Sequence, residues 1–404
     1  MHDEQSACCI VGAGPGGMVL ALLLARAGVA VTLLEARRDF ERDFRGNTLS
    51  PSAMQILDDL GLAERVLALP HARIERFVVQ TAGGRQIFAD FRSLPTRFPY
   101  VTMLPQARFL ELLAEEGARL PNLRIRMGAP VGDLLVEEGA VRGVVYREDS
   151  GTRRLCAALT VGADGRFSRV RRLAGLAPRP LASAMDVLWM RLPRRPDDPS
   201  DAGAVFRFGR GSLVVLMDHI EDWQVGFIIA KGGYAQVRDA GLPALRRAIA
   251  EAAPELADRV ELLRDWRQVA LLSVESSCLP HWHRPGLLLI GDAAHTMSPV
   301  GGVGINMAIL DAAAAAGLLA DPLRRGEAPP ELLRAVQRRR ELPTRLVQWF
   351  QVLAQQLVVG RALRSDAPFR LPAALRLLLR TPVLREVPAR LIAFGGLSNR
   401  KKAT

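Results

Sequence analysis

Six residues near the start of the chain, Gly12-Ala13-Gly14-Pro15-Gly16-Gly17, carry its strongest chemical signal. They stand between an apolar run at 7–11, which reads as a strand, and one at 18–27, which reads as a helix. In a G-x-G-x-x-G so placed, Gly12 permits a tight turn, Gly14 lets a pyrophosphate approach the backbone, and Gly17 lets helix and strand pack closely. The helix start adds free N–H groups and the positive end of its dipole, worth about 1 kcal/mol toward a phosphate. Glu35 closes a second apolar run at 29–34, 21 residues after Gly14, where a carboxylate can accept hydrogen bonds from a ribose. An ordinary glycine turn beside a surface glutamate is the competing reading. Strand, helix and Glu35 together favour dinucleotide binding.

The loop alone does not separate NAD from FAD, so later segments must. At Gly291-Asp292-Ala293-Ala294-His295 an acidic residue directly follows an apolar run, and Pro299, Gly301, Gly302, Val303, Gly304, Ile305 and Asn306 then open an alanine-rich helix. Asp292 suits a polyol hydroxyl. The glycines let a flat ring lie against backbone N–H groups, and the helix dipole favours negative charge there, as on the N1/C2 carbonyl edge of a reduced flavin. A third segment, Gly162-Ala163-Asp164-Gly165-Arg166 through Ser168 and Arg169, follows another strand-like run. Alone it reads equally as a strand-to-helix turn.

These three ordered motifs resemble the single-component FAD-dependent aromatic hydroxylases typified by para-hydroxybenzoate hydroxylase, over roughly residues 6–320. The resemblance implies an FAD reduced by NADPH or NADH, reaction with O2 to a C4a-hydroperoxyflavin, and transfer of one oxygen atom to a hydrophobic or aromatic small molecule. It carries Gly12, Ala13, Gly14, Pro15, Gly16, Gly17 and Glu35 to the ADP side, with Arg37 beside them. Arg45 matches an arginine that meets the flavin or the nicotinamide, and Arg108 one that meets the ribityl and phosphate chain. Asp164 matches the acid used for FAD and NAD(P)H together, and Asp292 the ribityl-binding aspartate. Pro299 to Asn306 match the loop along the isoalloxazine, with the Pro299 backbone as the one catalytic candidate. Gly301-Gly302-Val303-Gly304 replaces the alanine-glycine-glutamine step of members acting on ubiquinone precursors. Trp266 and Trp282 stand in no WxWxIP context, and there is no second G-x-G-x-x-G for a separate nicotinamide domain.

The elements that position these residues follow from the whole chain. Its 404 residues are 49% hydrophobic, enough for two interlocked domains and a sizeable core. The expected fold class is α/β: a Rossmann-type FAD-binding domain (1–70, 101–180, 275–330), an inserted β-sheet substrate domain (71–100, 181–274) and C-terminal helices (331–404). Helices are expected over 51–68 and 105–120, and a β-meander over 123–163 that returns to a parallel strand at 158–162. Trp189, Met190, Phe206, Val215 and Phe227 are the candidates for an apolar substrate pocket, each also readable as core. Arg207, Arg210, Lys231 and Tyr234 could meet a carboxylate or phenol.

His295 reads as structural, and His281 and His283 lack partners for a metal set, so no metal is expected. The net charge of +12 comes with scattered arginines and only 5% aromatics, which does not fit a nucleic-acid reader. Four cysteines without C-x-x-C spacing, and neither a signal peptide nor a long apolar run, point to a reduced, cytoplasmic setting. At 371–393, Leu371, Leu375, Leu378 and Leu379 alternate with Arg376, Arg380, Arg385 and Arg390. This reads either as a peripheral membrane contact with anionic lipid, or as a helix covering the flavin domain or joining a homodimer; monomer and homodimer both stay open. Two other functions share the pattern: an FAD-dependent reductase or dehydrogenase without oxygen transfer, and a ligand-binding flavoprotein whose FAD is structural.

Overall fold

The computed structural model describes residues 4–41, 48–198, 203–219, 222–364, 367, 369–371 and 382–395. Its first layer is a parallel sheet in the order Leu287–Leu289, Gly151–Gly162, Glu4–Val11, Val31–Leu34, Leu123–Arg126. Cys8, Cys9 and Ile10 are fully buried, as are Leu33 and Leu34, because helices or the meander cover both faces; the continuous apolar runs record this. The strand order reverses at Glu4–Val11, with Val31–Leu34 on one side and Gly151–Gly162 on the other. A crevice at such a switch point, outside the carboxyl ends of the strands, is where an open α/β sheet binds its ligand.

Helix Pro15–Arg26 leaves this crevice and ends at Gly28, whose φ of +85° closes the turn. The 51–68 helix is broken into Pro51–Asp59 and Ala63–Ala68 by Gly61, at φ +64°. Helix Gln106–Ala118 follows Pro105 as expected. The returning strand is longer than its apolar end: Gly151–Gly162 pairs antiparallel with Ala140–Glu148 through its exposed first half and parallel with Glu4–Val11 through its buried second half.

The second layer is a seven-stranded sheet in the order Ala270–Leu272, Met185–Pro193, Asp222–Ala230, Leu213–His219, Ala204–Phe208, Arg76–Thr81, Gly84–Asp90. One face packs on helix Leu242–Ala252 through Leu188, Met190, Val214, Leu216, Val225 and Phe227. The other presents Val187, Trp189, Val215 and Ile228 toward Val274 and Val300.

Helix Gly304–Arg324 is long and apolar enough to cross a membrane by length and composition, yet half of it is buried. It packs against Pro15–Arg26, where a Cβ on Gly16 would stand 3.0 Å from that of Ala308, and against Pro330–Ala354. Of the 371–393 stretch, Leu375, Leu378, Leu379, Arg376 and Arg380 lie outside the described residues. Leu371 is buried with Phe369 and Ala362, and helix Pro382–Phe394 buries Ala389, Ile392 and Ala393 against Met103 and Met307.

Candidate active site

Neighbouring backbone demands a glycine at two positions of the loop but not at a third. Gly12 sits at φ +106°, and a Cβ there would lie 2.5 Å from the Ala163 carbonyl oxygen. A Cβ on Gly17 would lie 2.0 Å from the carbonyl oxygen of Gly12. Gly14 has ordinary extended dihedrals, and a Cβ there would meet nothing within 4 Å. Among the described residues no atom accounts for a glycine at 14, which leaves that stretch of backbone open to a ligand. Helix Pro15–Arg26 opens there with no side-chain cap, so its first amides point into the crevice.

Glu35 is buried at the end of Val31–Leu34. Its carboxylate accepts the Ala13 N–H at 2.8 Å and the Arg37 N–H at 3.0 Å, which ties the loop to the position expected for a ribose. Arg37 itself is exposed and donates to the Glu41 carbonyl. Arg45 lies outside the described residues.

Asp292 sits in a 3₁₀ turn, Gly291–Ala293, held from behind by two buried side chains. The Asp311 carboxylate accepts the Gly291 N–H at 3.0 Å, His295 Nε2 at 2.6 Å and Arg340 Nε at 2.8 Å. Burial pushes the Asp311 carboxyl up, but His295 and Arg340 outweigh it and hold the group below the usual carboxylate range. A carboxylate only accepts, so His295 carries its proton on Nε2. Arg171 donates to the carbonyls of Ala293, Asp292 and Arg166, stapling this turn to the 162–169 segment.

Beyond the turn, Pro299, Gly301, Gly302, Val303, Gly304 and Ile305 line one cavity together with Asp292 and Gly14. Asn306 does not. Its amide is turned back, accepting the Ser50 N–H at 2.7 Å and donating to the carbonyls of Thr48 and Gly302, so it shapes the loop from the protein side.

Two further expected residues stand outside the cavity lining. Asp164 faces its own turn, accepting the Ser168 hydroxyl at 2.5 Å and the Val170 N–H at 3.0 Å; Gly165 and Arg166 line the cavity instead. Burial pushes the Asp164 carboxyl up despite these bonds. Arg108 points outward and pairs with Glu111 at 3.0 Å, because two residues along a helix is more than half a turn; Gln106 faces the cavity in its place.

The cavity has a volume of about 520 Å³ and runs from the glycine loop to the seven-stranded sheet. Trp189, Phe206 and Val215 line it, while Met190 and Phe227 do not. Side chains alternate along a strand, so Met190 points opposite to Trp189, and Phe227 opposite to Ile228, into the core beneath helix Leu242–Ala252. Arg207 pairs with Glu255, Lys231 with Asp186, and Tyr234 packs edge-on to Trp266, all away from the cavity; Arg210 is exposed and does not line it either. Helix Pro330–Ala354 contributes Phe350 and Gln351 to the wall, which the sequence motifs did not mark.

This arrangement fits FAD. Two uncapped helix starts, at Pro15 and Gly304, meet one crevice, an unexplained glycine opens the first, and an acidic turn lies between them. A family model described as FAD binding domain matches residues 5–350. The chain is 36% identical over 389 residues to 6-methylpretetramide 4-monooxygenase of Streptomyces rimosus, covering 96% of this chain and 92% of that protein. It is 28% identical over 327 residues to para-nitrophenol 4-monooxygenase of Pseudomonas sp. (strain WBC-3), covering 75% of each. The crystal structure of p-nitrophenol 4-monooxygenase from Pseudomonas putida DLL-E4 shares the fold at a TM-score of 0.79 and 21% identity, covering 98% of this chain and 100% of that one. The chain therefore belongs to the FAD-binding-domain family, among its FAD-dependent aromatic monooxygenases.

Proposed function

We propose that this monooxygenase takes its electrons from NADH or NADPH, which approaches only transiently, and oxygenates a fused, polyketide-like aromatic. One observation carries the substrate reading: the cavity is continuous from Gly14 and Asp292 to a wall of Trp189, Phe206 and Phe350. A wall of aromatic faces favours a flat, apolar ring system through stacked and edge-on contacts. The relative acting on 6-methylpretetramide, matched across nearly the whole of both chains, supports a substrate of that class.

Bound FAD supplies the redox chemistry and the activation of O2. The chain's own residues bind, orient and exclude. The Pro15 helix start and Gly14 backbone hold the pyrophosphate, Glu35 the ribose and Asp292 the ribityl chain. The Gly304 helix start favours negative charge on the ring edge nearest it. Apolar side chains from the sheet and from helix Pro330–Ala354 keep water from the reacting centre. We assign these roles to a cofactor-binding body formed by 1–70, 101–180 and 275–330 and a substrate-binding sheet formed by 71–100 and 181–274.

Anaerobic stopped-flow reduction by NADPH and by NADH, with and without fused-ring phenols, tests this reading. Reduction accelerated at least tenfold by such a ligand is expected. Reduction indifferent to every aromatic tried, or absent with both nucleotides, would contradict it.

A further inference from the structure

Strand Asp222–Ala230 carries a glycine in its middle, Gly226. Its φ lies outside the left-handed region, so the backbone itself does not demand glycine there. A glycine inside a strand weakens it and marks a place where something comes close to the backbone. Gly226 stands opposite Trp189 on one neighbouring strand and opposite Val215 on the other. Directly opposed residues of antiparallel strands point to the same face, and so do Gln224 and Ile228, two residues to either side. Trp189, Val215, Gln224 and Ile228 all line the cavity, while Gly226 does not. The cavity face of the sheet has a gap at 226, and the Trp189 indole covers it.

Three distances fix how it does so. A Cβ on Gly226 would lie 2.7 Å from Cζ3 of Trp189, 3.0 Å from Cη2 and 3.1 Å from Cε3, which are consecutive atoms of the six-membered ring. A point in the ring plane, beyond its edge, would stand much further from the two flanking atoms than from the middle one. A point over the ring face stands almost equally close to all three. The ring therefore lies face down on Gly226, and its other face is turned away from the sheet, to the cavity side. Trp189 keeps 9% of its surface exposed, the largest share among the buried side chains of its apolar cluster, against which Val300 of the 299–305 loop packs.

We propose that Gly226 and Trp189 together form the seat for a fused ring system: the glycine lets the indole lie flat, and the free indole face stacks on the rings of the substrate. This rests on the substrate class proposed above and names the residues that select it. Gly226 is a positioning residue, acting through Trp189. Non-bonded carbons rest about 3.5–4.0 Å apart, so a methyl at 226 must lift the ring edge by roughly 1 Å. The indole is a rigid plate on two torsions and cannot yield at one atom alone. Lifted, it tilts into the cavity. A flat polycycle, which needs the whole plate, loses its stacking geometry; a single ring, which needs a small part of it, loses little.

The test is equilibrium dialysis of the purified holoenzyme against 2-hydroxyanthracene, a flat three-ring phenol, and against phenol. Gly226→Ala is expected to weaken 2-hydroxyanthracene by about tenfold or more, and phenol by less than about threefold. Trp189→Ala should weaken 2-hydroxyanthracene at least about fivefold more than phenol. Adding Gly226→Ala to Trp189→Ala should then change the 2-hydroxyanthracene Kd by less than about twofold, because the plate that the methyl displaces is gone. A strand weakened for any other reason would lose affinity in both backgrounds. The proposal is overturned if wild type fails to bind 2-hydroxyanthracene, if either single variant affects the two probes alike, or if the effect of Gly226→Ala persists without the indole. Should Gly226→Ala fail to fold, folding restored by Trp189→Ala upholds the contact and failure of the double variant overturns it. Dialysis is blind to electron transfer, so the two readings fail separately. Ligand-indifferent reduction with the size-dependent losses intact would overturn the proposed function alone; ligand-stimulated reduction without those losses would overturn the seat alone.

Discussion

Arg340, on the long helix Pro330–Ala354, donates from Nε to the carboxylate of Asp311 on the neighbouring helix at 2.8 Å, with both side chains buried. His295 and the Gly291 N–H share the same carboxylate, so one acidic group fixes both ends of the turn that carries Asp292.

Replacing Asp311 should therefore damage the fold and not only the site. Asp311→Ala leaves the Arg340 guanidinium buried without its counter-charge and His295 Nε2 without its acceptor, a loss of about 3–5 kcal/mol for a broken buried pair. Urea denaturation of the holoenzyme would measure it. A loss below about 1 kcal/mol would mean that the network is relieved by water or by rearrangement. Because the Asp311 carboxyl is held low in the folded chain, its contribution is full above the unfolded pKa of about 3.9 and is lost as pH falls through the folded value.

The two kinds of glycine in the first loop predict opposite failures. At Gly14 a Cβ meets no described protein atom within 4 Å, so Gly14→Val should fold with near-normal stability and lose FAD, with at least a tenfold weaker Kd. Gly17→Ala drives a methyl to within 2.0 Å of the Gly12 carbonyl and should cut soluble yield and thermal stability. Flavin retained in Gly14→Val would remove the argument that this glycine serves the pyrophosphate.

Asp292→Ala should purify with reduced flavin content, since its turn lies between the two helix starts and the residue lines the cavity. Full flavin occupancy after extensive dialysis would contradict the placing of the ribityl chain there.

Acid should also loosen the substrate sheet. Asp198 accepts from Arg259 at 2.6 and 2.9 Å and from the Trp223 indole at 2.7 Å. Burial alone would raise its pKa, but Arg259 and Trp223 hold it down to about 2. A depressed carboxylate stabilises the fold above its unfolded pKa, about 3.9, and that contribution drains as pH falls toward 2. Fluorescence of Trp223, followed from pH 5 to pH 2, should report the change, and Asp198→Asn should flatten it. Equal acid profiles for the two proteins would exclude this network as the cause.

What the sequence revealed was local, and what it hid depended on which way a side chain points. Gly12, Gly14, Gly17 and Glu35 lie within one βαβ unit, where spacing fixes geometry. The 291–305 segment was legible because its glycines and acid follow a buried strand directly. Met190 and Phe227 were misplaced because both faces of their strands are covered, so an unbroken apolar run conceals the alternation that separates cavity from core. Arg108 and Asn306 lay in the right segments but on the wrong side of them, and Asp164 serves its own turn. Gln351 was hidden in an arginine-rich helix far along the chain. A signal was present: Gln348, Gln351 and Gln355 are uncharged polar residues at helical spacing on one face, as a buried side bonded to backbone carbonyls requires.

The most direct test of the central claim is turnover under ¹⁸O₂ with NADPH and a hydroxylated fused-ring aromatic, read by mass spectrometry of the product. A monooxygenase built on this cavity incorporates one labelled atom per product molecule, and the label is absent when ¹⁸O is supplied only in water. A product whose new oxygen comes from water, or NADPH oxidised in step with hydrogen peroxide and no oxygenated product, would contradict it.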